Sequence, residues 1–184
     1  MKEIKPKKVC VFLSAQNVAE KYEKPALDLI RLLVQNGYTF VYGGTEKGLM
    51  KKAADLVRTE GGRIIAVFSE EFRSLWREDV DEKIECPNIP ERKKKIIEIS
   101  DALVVLPGGT GTLDELMEIV ETKKWGSHSK PIVLLNSEHY WDGLISQLLK
   151  MRDEGFLNRD IEDLLCIFDN PLDAIKFLKH SLGD

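Results

Sequence analysis

Short apolar segments alternate with longer amphipathic ones along most of the chain, and this alternation restricts the fold more than any other feature. The short segments are Val9–Leu13, Thr39–Tyr42, Ile64–Phe68, Ala102–Leu106, Ile132–Leu135 and Leu164–Phe168. They consist mostly of Val, Ile, Leu and Phe with few polar interruptions, which is typical of β-strands that are covered on both faces. We therefore predict that these segments are buried strands of a parallel sheet.

The longer segments between these strands carry the spacing of amphipathic helices. In the first of them, apolar residues recur at i, i+3, i+4, i+7 and i+8, namely Ala26, Leu29, Ile30, Leu33 and Val34. Alternation of strand and helix predicts right-handed crossovers and a Rossmann-like, doubly wound parallel sheet in a three-layer α/β/α arrangement. Because no linker or repeat divides the chain, we expect residues 1–184 to form a single domain.

The stretch from Ser69 to Pro90 lacks this regularity, because charged residues and Trp76 interrupt the apolar pattern. We predict a long loop here, with a short extended piece at Ile84–Cys86. Long loops in compact domains are often lids or walls of binding sites. Glu71, within this loop, is therefore a candidate for the lining of such a site.

Composition and charge exclude several classes of protein. The 184 residues include 27 Lys and Arg against 31 Asp and Glu, and the net charge of −4 argues against a nucleic-acid partner. The first apolar run, Val9–Leu13, is too short for a signal peptide, and no apolar stretch approaches membrane-spanning length, so we expect a cytoplasmic protein without membrane association. His128, His139 and His180 lack metal-ligand spacing, and the cysteines form no CxxC pair, so we expect neither a metal nor another cofactor.

Polar or glycine-rich turns follow three of the predicted strands. These turns are Ser14–Asn17, Gly43–Gly48 and Pro107–Thr112. In open parallel sheets, ligands bind beyond the carboxyl ends of the strands, at the point where the strand order reverses. We therefore expect a crevice at this edge, with Ser14, Gly43 and Gly44 in contact with the substrate.

The third turn has the composition of a phosphate-binding loop. Gly108, Gly109 and Gly111 let backbone N–H groups approach a ligand closely, and Thr110 and Thr112 add hydroxyl donors. The helix that begins here adds unsatisfied N–H groups and the positive end of its dipole. The turn matches neither a Walker A loop nor a GxGxxG fingerprint, which disfavours an ATPase or an NAD-dependent dehydrogenase.

The same residues also allow purely structural interpretations. The glycines suit a tight turn, and Thr112 with Glu115 fits a capping box, in which the Glu side chain bonds back to the Thr backbone N–H. The basic run Arg92–Lys95 is typical of a solvated helix face. Helical spacing nevertheless lets Arg92 point inward, over the glycine loop.

Three ordered motifs carry a resemblance to a known family. Pro107 to Glu115 reads Pro-Gly-Gly-Thr-Gly-Thr-Leu-Asp-Glu, an Arg92-Lys93 pair precedes it, and Val-Tyr-Gly-Gly at 41–44 is followed by Gly-Leu-Met at 48–50. In these motifs, and in its layout from about Val9 to the last helix, the chain resembles the Lonely Guy family of cytokinin-activating phosphoribohydrolases, once widely labelled lysine decarboxylase-like.

The resemblance implies an enzyme that hydrolyses the N-glycosidic bond of a nucleoside 5′-monophosphate, giving free base and ribose 5-phosphate. It implies catalytic roles for Arg92 and Glu115, and it makes Lys93 a candidate for a second phosphate contact. An ionised carboxylate beside the sugar would stabilise the positive charge that develops there as the bond breaks. The resemblance also implies a homodimer, with the helix after the glycine loop near the interface.

Departures from the family pattern leave the preferred base open. Leu13-Ser14-Ala15 stands where relatives carry Cys-Gly-Ser, and Thr45-Glu46-Lys47 stands where they carry smaller residues. A non-catalytic carrier is the alternative function, because a similar Rossmann-like family binds molybdenum cofactor and related folds bind nucleotides as sensors. That alternative would leave Glu115 dispensable.

Overall fold

A computed structural model describes residues 6–183 and places seven strands in one parallel sheet. The strands are β1 (Lys8–Phe12), β2 (Thr39–Tyr42), β3 (Ile64–Ser69), β4 (Glu82–Cys86), β5 (Ala102–Val105), β6 (Ile132–Leu135) and β7 (Cys166–Phe168). Their order across the sheet is β4-β3-β2-β1-β5-β6-β7, and every neighbouring pair is parallel. Strands β2, β3 and β4 are therefore added in turn on one side of β1, and β5, β6 and β7 on its other side. The order of the strands reverses between β1 and β5.

Helices cover both faces of the sheet. They are α1 (Glu20–Gln35), α2 (Gly48–Thr59), α3 (Ile89–Ile99), α4 (Thr110–Lys124), α5 (Asp142–Asp153), α6 (Ile161–Leu164) and α7 (Pro171–Leu182). Val9 and Val11 of β1 belong to the core with α1, α2 and α7, whereas Cys10 and Phe12 belong to the core with α3, α4, α5 and α6. Because both sides of each central strand are buried, these strands are apolar throughout. The predicted three-layer, doubly wound α/β fold is confirmed.

Two details of the prediction are wrong. The predicted strand Leu164–Phe168 is shorter, because Leu164 ends α6 and β7 begins at Cys166. The stretch Ser69–Pro90 is more regular than predicted, since it holds a 3₁₀ turn at Glu70–Leu75 and the complete edge strand β4. An edge strand is covered less than a central one, and charged residues such as Glu82 are compatible with it. Because of this composition, a search for apolar runs does not detect the whole of β4.

Within residues 6–183, the search for a helix that combines the length and the apolar character needed to cross a membrane finds no candidate.

The turn after β2 packs a glycine directly against an aromatic ring. Gly44 has φ of +79°, and a Cβ atom added there would lie 2.3 Å from Cε1 of Phe68 on the neighbouring strand. Phe68 also packs on Trp76, with ring centroids 4.6 Å apart. Glycine at position 44 therefore permits both the left-handed backbone conformation and the close packing of β2 against β3.

We expect Gly44→Ala to lower the free energy of unfolding by roughly 2–4 kcal/mol, the sum of left-handed strain and overpacking against Phe68. Gly37→Ala is the matched control, because Gly37 has φ of +75° but nothing within 4 Å of an added Cβ. It should cost only about 1–2 kcal/mol. Urea unfolding of both variants measures the difference, and equal losses would contradict the packing role of Gly44.

Candidate active site

A cavity of about 410 Å³ lies at the carboxyl edge of the sheet, over the reversal of strand order between β1 and β5. This volume falls within the roughly 300–1,000 Å³ range of small-molecule sites. The predicted site residues that line it are Ser14, Gly43, Arg92, Lys93, Gly109, Thr110, Gly111, Thr112 and Glu115. The fold thus brings together residues from four separate segments of the chain.

The glycine loop forms one wall of the cavity. Gly109 precedes the first turn of α4, and no side chain caps this helix end. The first N–H groups of a helix have no partner within the helix, and with the helix dipole they form a site for an anion. A Cβ atom added at Gly109 or Gly111 would meet nothing within 4 Å, so the absence of side chains keeps this wall open.

Two predicted substrate-contacting glycines have packing roles instead. In the part of the chain that the structure describes, neither Gly44 nor Gly108 lines the cavity. A Cβ atom at Gly108 would lie 2.3 Å from Oγ1 of Thr112, so this glycine allows the Thr side chain to fold back over the loop. Glycine-rich composition did not distinguish glycines that line the cavity from glycines that pack against neighbouring residues.

A buried ion pair lines the cavity. Nη2 of Arg92, on α3, donates to Oε1 of Glu115, on α4, at 2.6 Å, and the two side chains are only 10% and 14% exposed. A Cβ atom at Gly43 would lie 3.0 Å from the same Nη2 atom. The glycine after β2 therefore leaves the space that the guanidinium occupies.

The capping-box interpretation of Glu115 is wrong. Helix α4 begins at Thr110 with Gly109 as its N-cap, which places Thr112 inside the first turn rather than before it. The Glu115 carboxylate turns to Arg92. The interpretation of Arg92 as a solvated residue is also wrong, because Arg92 is buried and lies against the cavity.

Burial raises the pKa of Glu115 to about 7, and the positive charge of Arg92 opposes this rise. The carboxyl group is therefore partly protonated and partly ionised near neutral pH. A group with such a pKa can accept or release a proton at neutral pH, as general acid–base catalysis requires.

Lys93 lines the cavity, but its ammonium group is already paired. Its Nζ atom lies 2.9 Å from Oδ2 of Asp114 and is also bonded to Oε2 of Glu118. The Asp114 and Glu118 carboxylates already pair with the Lys93 ammonium group, so an incoming phosphate would have to compete with them. The structure therefore gives no support to a direct phosphate contact from Lys93.

Another wall of the cavity is apolar, and of its residues only Met50 belongs to a motif noted in the sequence. Met50, Phe72, Leu75 and Ile89 line this side. Phe72 and Leu75 belong to the 3₁₀ turn of the irregular stretch, whose expected role as a site wall is consistent with this placement. Glu71 does not line the cavity; its carboxylate accepts the backbone N–H of Ile89 at 2.9 Å.

Ion pairs and backbone hydrogen bonds fix the apolar wall to the rest of the protein. The buried Arg77 donates from Nη1 to Glu46 at 2.9 Å and to Asp55 at 2.6 Å. The backbone N–H of Glu46 donates to the carbonyl of Leu75 at 2.8 Å. These contacts hold the apolar wall against the turn that follows β2.

Across residues 6–183, no three His, Cys, Asp or Glu side chains form a group suited to a metal ion.

Comparisons with known proteins identify relatives of this chain. A family model described as "Possible lysine decarboxylase" matches residues 50–178. The cytokinin riboside 5′-monophosphate phosphoribohydrolase LOG3 of Arabidopsis thaliana is 32% identical over 183 residues, which cover 98% of this chain and 85% of that protein. The probable cytokinin riboside 5′-monophosphate phosphoribohydrolase LOGL9 of Oryza sativa subsp. japonica is 37% identical over 154 residues, 82% of this chain and 68% of that protein.

Solved structures share the fold at lower sequence identity. The molybdenum cofactor binding protein of Rippkaea orientalis has a TM-score of 0.73 at 21% identity, over 97% of this chain and 98% of that one. The Moco carrier protein of Chlamydomonas reinhardtii has a TM-score of 0.72 at 23% identity, over 97% and 99%. These similarities establish the architecture alone.

The fold and the cavity define a Rossmann-like α/β protein with a glycine-rich loop at its topological switch point. The match of the family model, together with relatives more than 30% identical over nearly the whole chain, identifies the family. The chain belongs to the Lonely Guy family, whose family model is described as possible lysine decarboxylase.

The raised pKa of Glu115 predicts a pH-dependent stability difference between the wild type and Glu115→Gln. Because the folded-state pKa of about 7 exceeds the ordinary glutamate value of 4.5, the folded protein binds this proton more tightly, and the stabilisation is lost as pH rises through about 7. Relative to Glu115→Gln, the wild type should lose about 2 kcal/mol between pH 5 and pH 8. Denaturant unfolding at both pH values measures this, and a wild type that gains stability relative to the variant would contradict it.

Proposed function

We propose that the protein hydrolyses the N-glycosidic bond of a nucleoside 5′-monophosphate, releasing the free base and ribose 5-phosphate. The observation that carries this proposal is the placement of the Arg92–Glu115 pair in one cavity with the glycine loop. Anion binding alone would require the loop but not a buried carboxyl group with a pKa near 7.

The two walls of the cavity suit the two ends of such a substrate. The 5′-phosphate binds the backbone N–H groups and hydroxyls of Gly109–Thr112 at the start of α4. The base lies against the apolar wall, where Phe72 offers an aromatic ring that is 38% exposed. The ribose then lies between these ends, beside Glu115.

Hydrolysis breaks the bond between C1′ of the ribose and the base nitrogen, and positive charge develops on the sugar as it breaks. Ionised Glu115 stabilises this charge and accepts a proton from the attacking water, whose oxygen bonds to C1′. The base leaves with the bonding electrons and takes up a proton from solvent, and Glu115 returns the proton of the attacking water to solvent. Arg92 holds the carboxylate in place and presents its remaining N–H groups to substrate oxygens.

The names of the relatives support the substrate class. Arabidopsis and rice proteins that are about one third identical to this chain over the aligned residues are named cytokinin riboside 5′-monophosphate phosphoribohydrolases or probable ones. The carrier alternative has weaker support, because the molybdenum cofactor proteins share only 21–23% identity and show the fold alone.

The test is an assay of base release from individual nucleoside 5′-monophosphates, followed by chromatography. We expect turnover of at least one of them, and we expect Glu115→Gln to lower kcat roughly 10²–10⁴-fold, because the variant has no carboxylate to accept a proton or stabilise charge. The matched control is Glu98→Gln on α3, which removes only an exposed ion pair with Lys95. It should retain wild-type activity.

Two results would overturn the enzymatic proposal. One is the absence of base release from every monophosphate by a folded wild-type protein that nevertheless binds them, which would favour a carrier. The other is full activity in Glu115→Gln.

We also propose that the protein acts as a homodimer in the cytoplasm. Large apolar side chains near the end of α4 and after α5 are exposed: Trp125 is 76% and Phe156 is 84% exposed. Phe156 also lines a groove of about 190 Å³ with Met117 and Val120 of α4. Such exposed apolar surface beside a groove favours association with a second copy through this region.

We expect the wild type to have about twice the chain mass of 20.9 kDa in light-scattering chromatography. Phe156→Glu should shift the protein toward monomer, because a charge replaces the most exposed aromatic side chain of this surface. Leu172→Glu on α7 is the control, since Leu172 is 59% exposed but lies outside this groove. Equal masses for both variants would argue against this interface.

A further inference from the structure

A tyrosine outside the cavity holds the backbone of the glycine loop. The hydroxyl of Tyr140 donates to the carbonyl oxygen of Gly108 at 2.6 Å. Tyr140 follows β6, whereas Ser14 follows β1, and these two strands lie on opposite sides of β5. Tyr140 is not among the described residues that line the cavity. Its action on a ligand in the cavity is therefore indirect.

We propose that Tyr140 is a positioning residue for phosphate binding: its hydroxyl fixes the Gly108–Gly109 peptide so that the N–H of Gly109 faces the anion. This inference rests on the proposed function, because it concerns the phosphate end of the same cavity. It adds a residue that none of the three sequence motifs contains.

The geometry of the peptide bond connects the tyrosine to the ligand. Across a planar trans peptide, the carbonyl of one residue and the N–H of the next point in opposite directions. No cis peptide occurs among the described residues. Because Tyr140 holds the Gly108 carbonyl on its own side, the Gly109 N–H points the other way. Gly109 lines the cavity whereas Gly108 does not, as this orientation requires.

The hydrogen bond also makes the N–H a better donor. A carbonyl that accepts a strong hydrogen bond polarises its peptide group, and hydrogen bonds in a chain strengthen one another. With an anion bound, the chain runs from the Tyr140 hydroxyl through one peptide group to a phosphate oxygen. Glycine at position 109 has no side chain to stabilise a particular orientation, so an external contact is needed to select one.

The segment before Tyr140 has a costly backbone conformation that brings the ring to the loop. Glu138 and His139 have φ of 55° and 56°, which side-chain-bearing residues rarely adopt. Asn136 holds this turn together, since its carbonyl accepts the N–H of His139 at 3.1 Å and its side chain accepts the N–H of Trp141 at 2.7 Å. Strained backbone of this kind persists where the surroundings enforce it and concentrates at functional sites.

Ring packing fixes the tyrosine independently of its hydroxyl. The Tyr140 ring meets Tyr22 of α1 edge-on with centroids 5.3 Å apart, and it meets Trp141 with centroids 4.8 Å apart. Tyr140 is 41% exposed, so removal of its hydroxyl creates no buried cavity. Tyr140→Phe therefore keeps the packing and removes only the contact to Gly108.

The test compares Tyr140→Phe with the wild type in binding and in turnover. We expect affinity for ribose 5-phosphate and for inorganic phosphate, measured by calorimetry, to fall roughly 3–10-fold, the range for one hydrogen bond. KM for the nucleoside 5′-monophosphate should rise by the same factor with kcat within about twofold, because the phosphate is bound equally in the ground and transition states. Inhibition by the nucleoside without its phosphate should not change.

Tyr22→Phe is the matched control, since it removes a hydroxyl from the ring that packs on Tyr140 but leaves the contact to Gly108 intact. It should bind ribose 5-phosphate as the wild type does. A purely structural role for Tyr140 would instead lower the melting temperature and weaken the nucleoside and the phosphate ligands alike, and that result would overturn the inference.

The two proposals fail in different ways. A wild type that binds ribose 5-phosphate but releases no base contradicts the proposed hydrolysis and leaves the calorimetric comparison valid. Unchanged phosphate affinity in Tyr140→Phe overturns the role of Tyr140 whether or not hydrolysis occurs. Failure of the wild type to bind either phosphate ligand overturns it as well.

Discussion

The buried contact between Arg92 and Glu115 is the constraint on which the site depends. Two opposite charges withdrawn from water must lie close together, because either one left alone would be strongly destabilising. The pair joins α3 to α4 and packs against Gly43, where an added Cβ atom would lie 3.0 Å from the guanidinium. The same burial raises the pKa of Glu115 to about 7, so one arrangement determines both the packing and the chemistry.

The reversal of strand order between β1 and β5 explains why the pair and the glycine loop share a cavity. At this point the helices that follow the two strands lie on opposite faces of the sheet, which leaves a crevice between them. The end of β1 contributes Ser14, and the turn after β5 contributes Gly109 with the uncapped start of α4. A helix end without a capping side chain is suited to bind an anion, as the proposed function requires.

The fold was predictable from the sequence because its central strands are buried on both faces and therefore apolar throughout. The edge strand β4 is covered less and carries charged residues, so the sequence predicted only its Ile84–Cys86 part as extended. The motif predicted that Arg92 and Glu115 lie near the glycine loop, but their direct contact depends on how α3 packs beside α4. The packing role of Gly108 and the hydroxyl contact of Tyr140 were not predictable, because each depends on residues that meet only through tertiary structure.

The apolar wall has a consequence for how such a protein diversifies. Phe72 and Leu75 belong to a short connection between two outer strands, which the Arg77 ion pairs fasten from outside the cavity. Substitutions in this connection alter the shape of the apolar wall without disturbing the Arg92–Glu115 pair. Selection for a new nucleobase can therefore proceed one wall residue at a time, while the reaction itself stays intact.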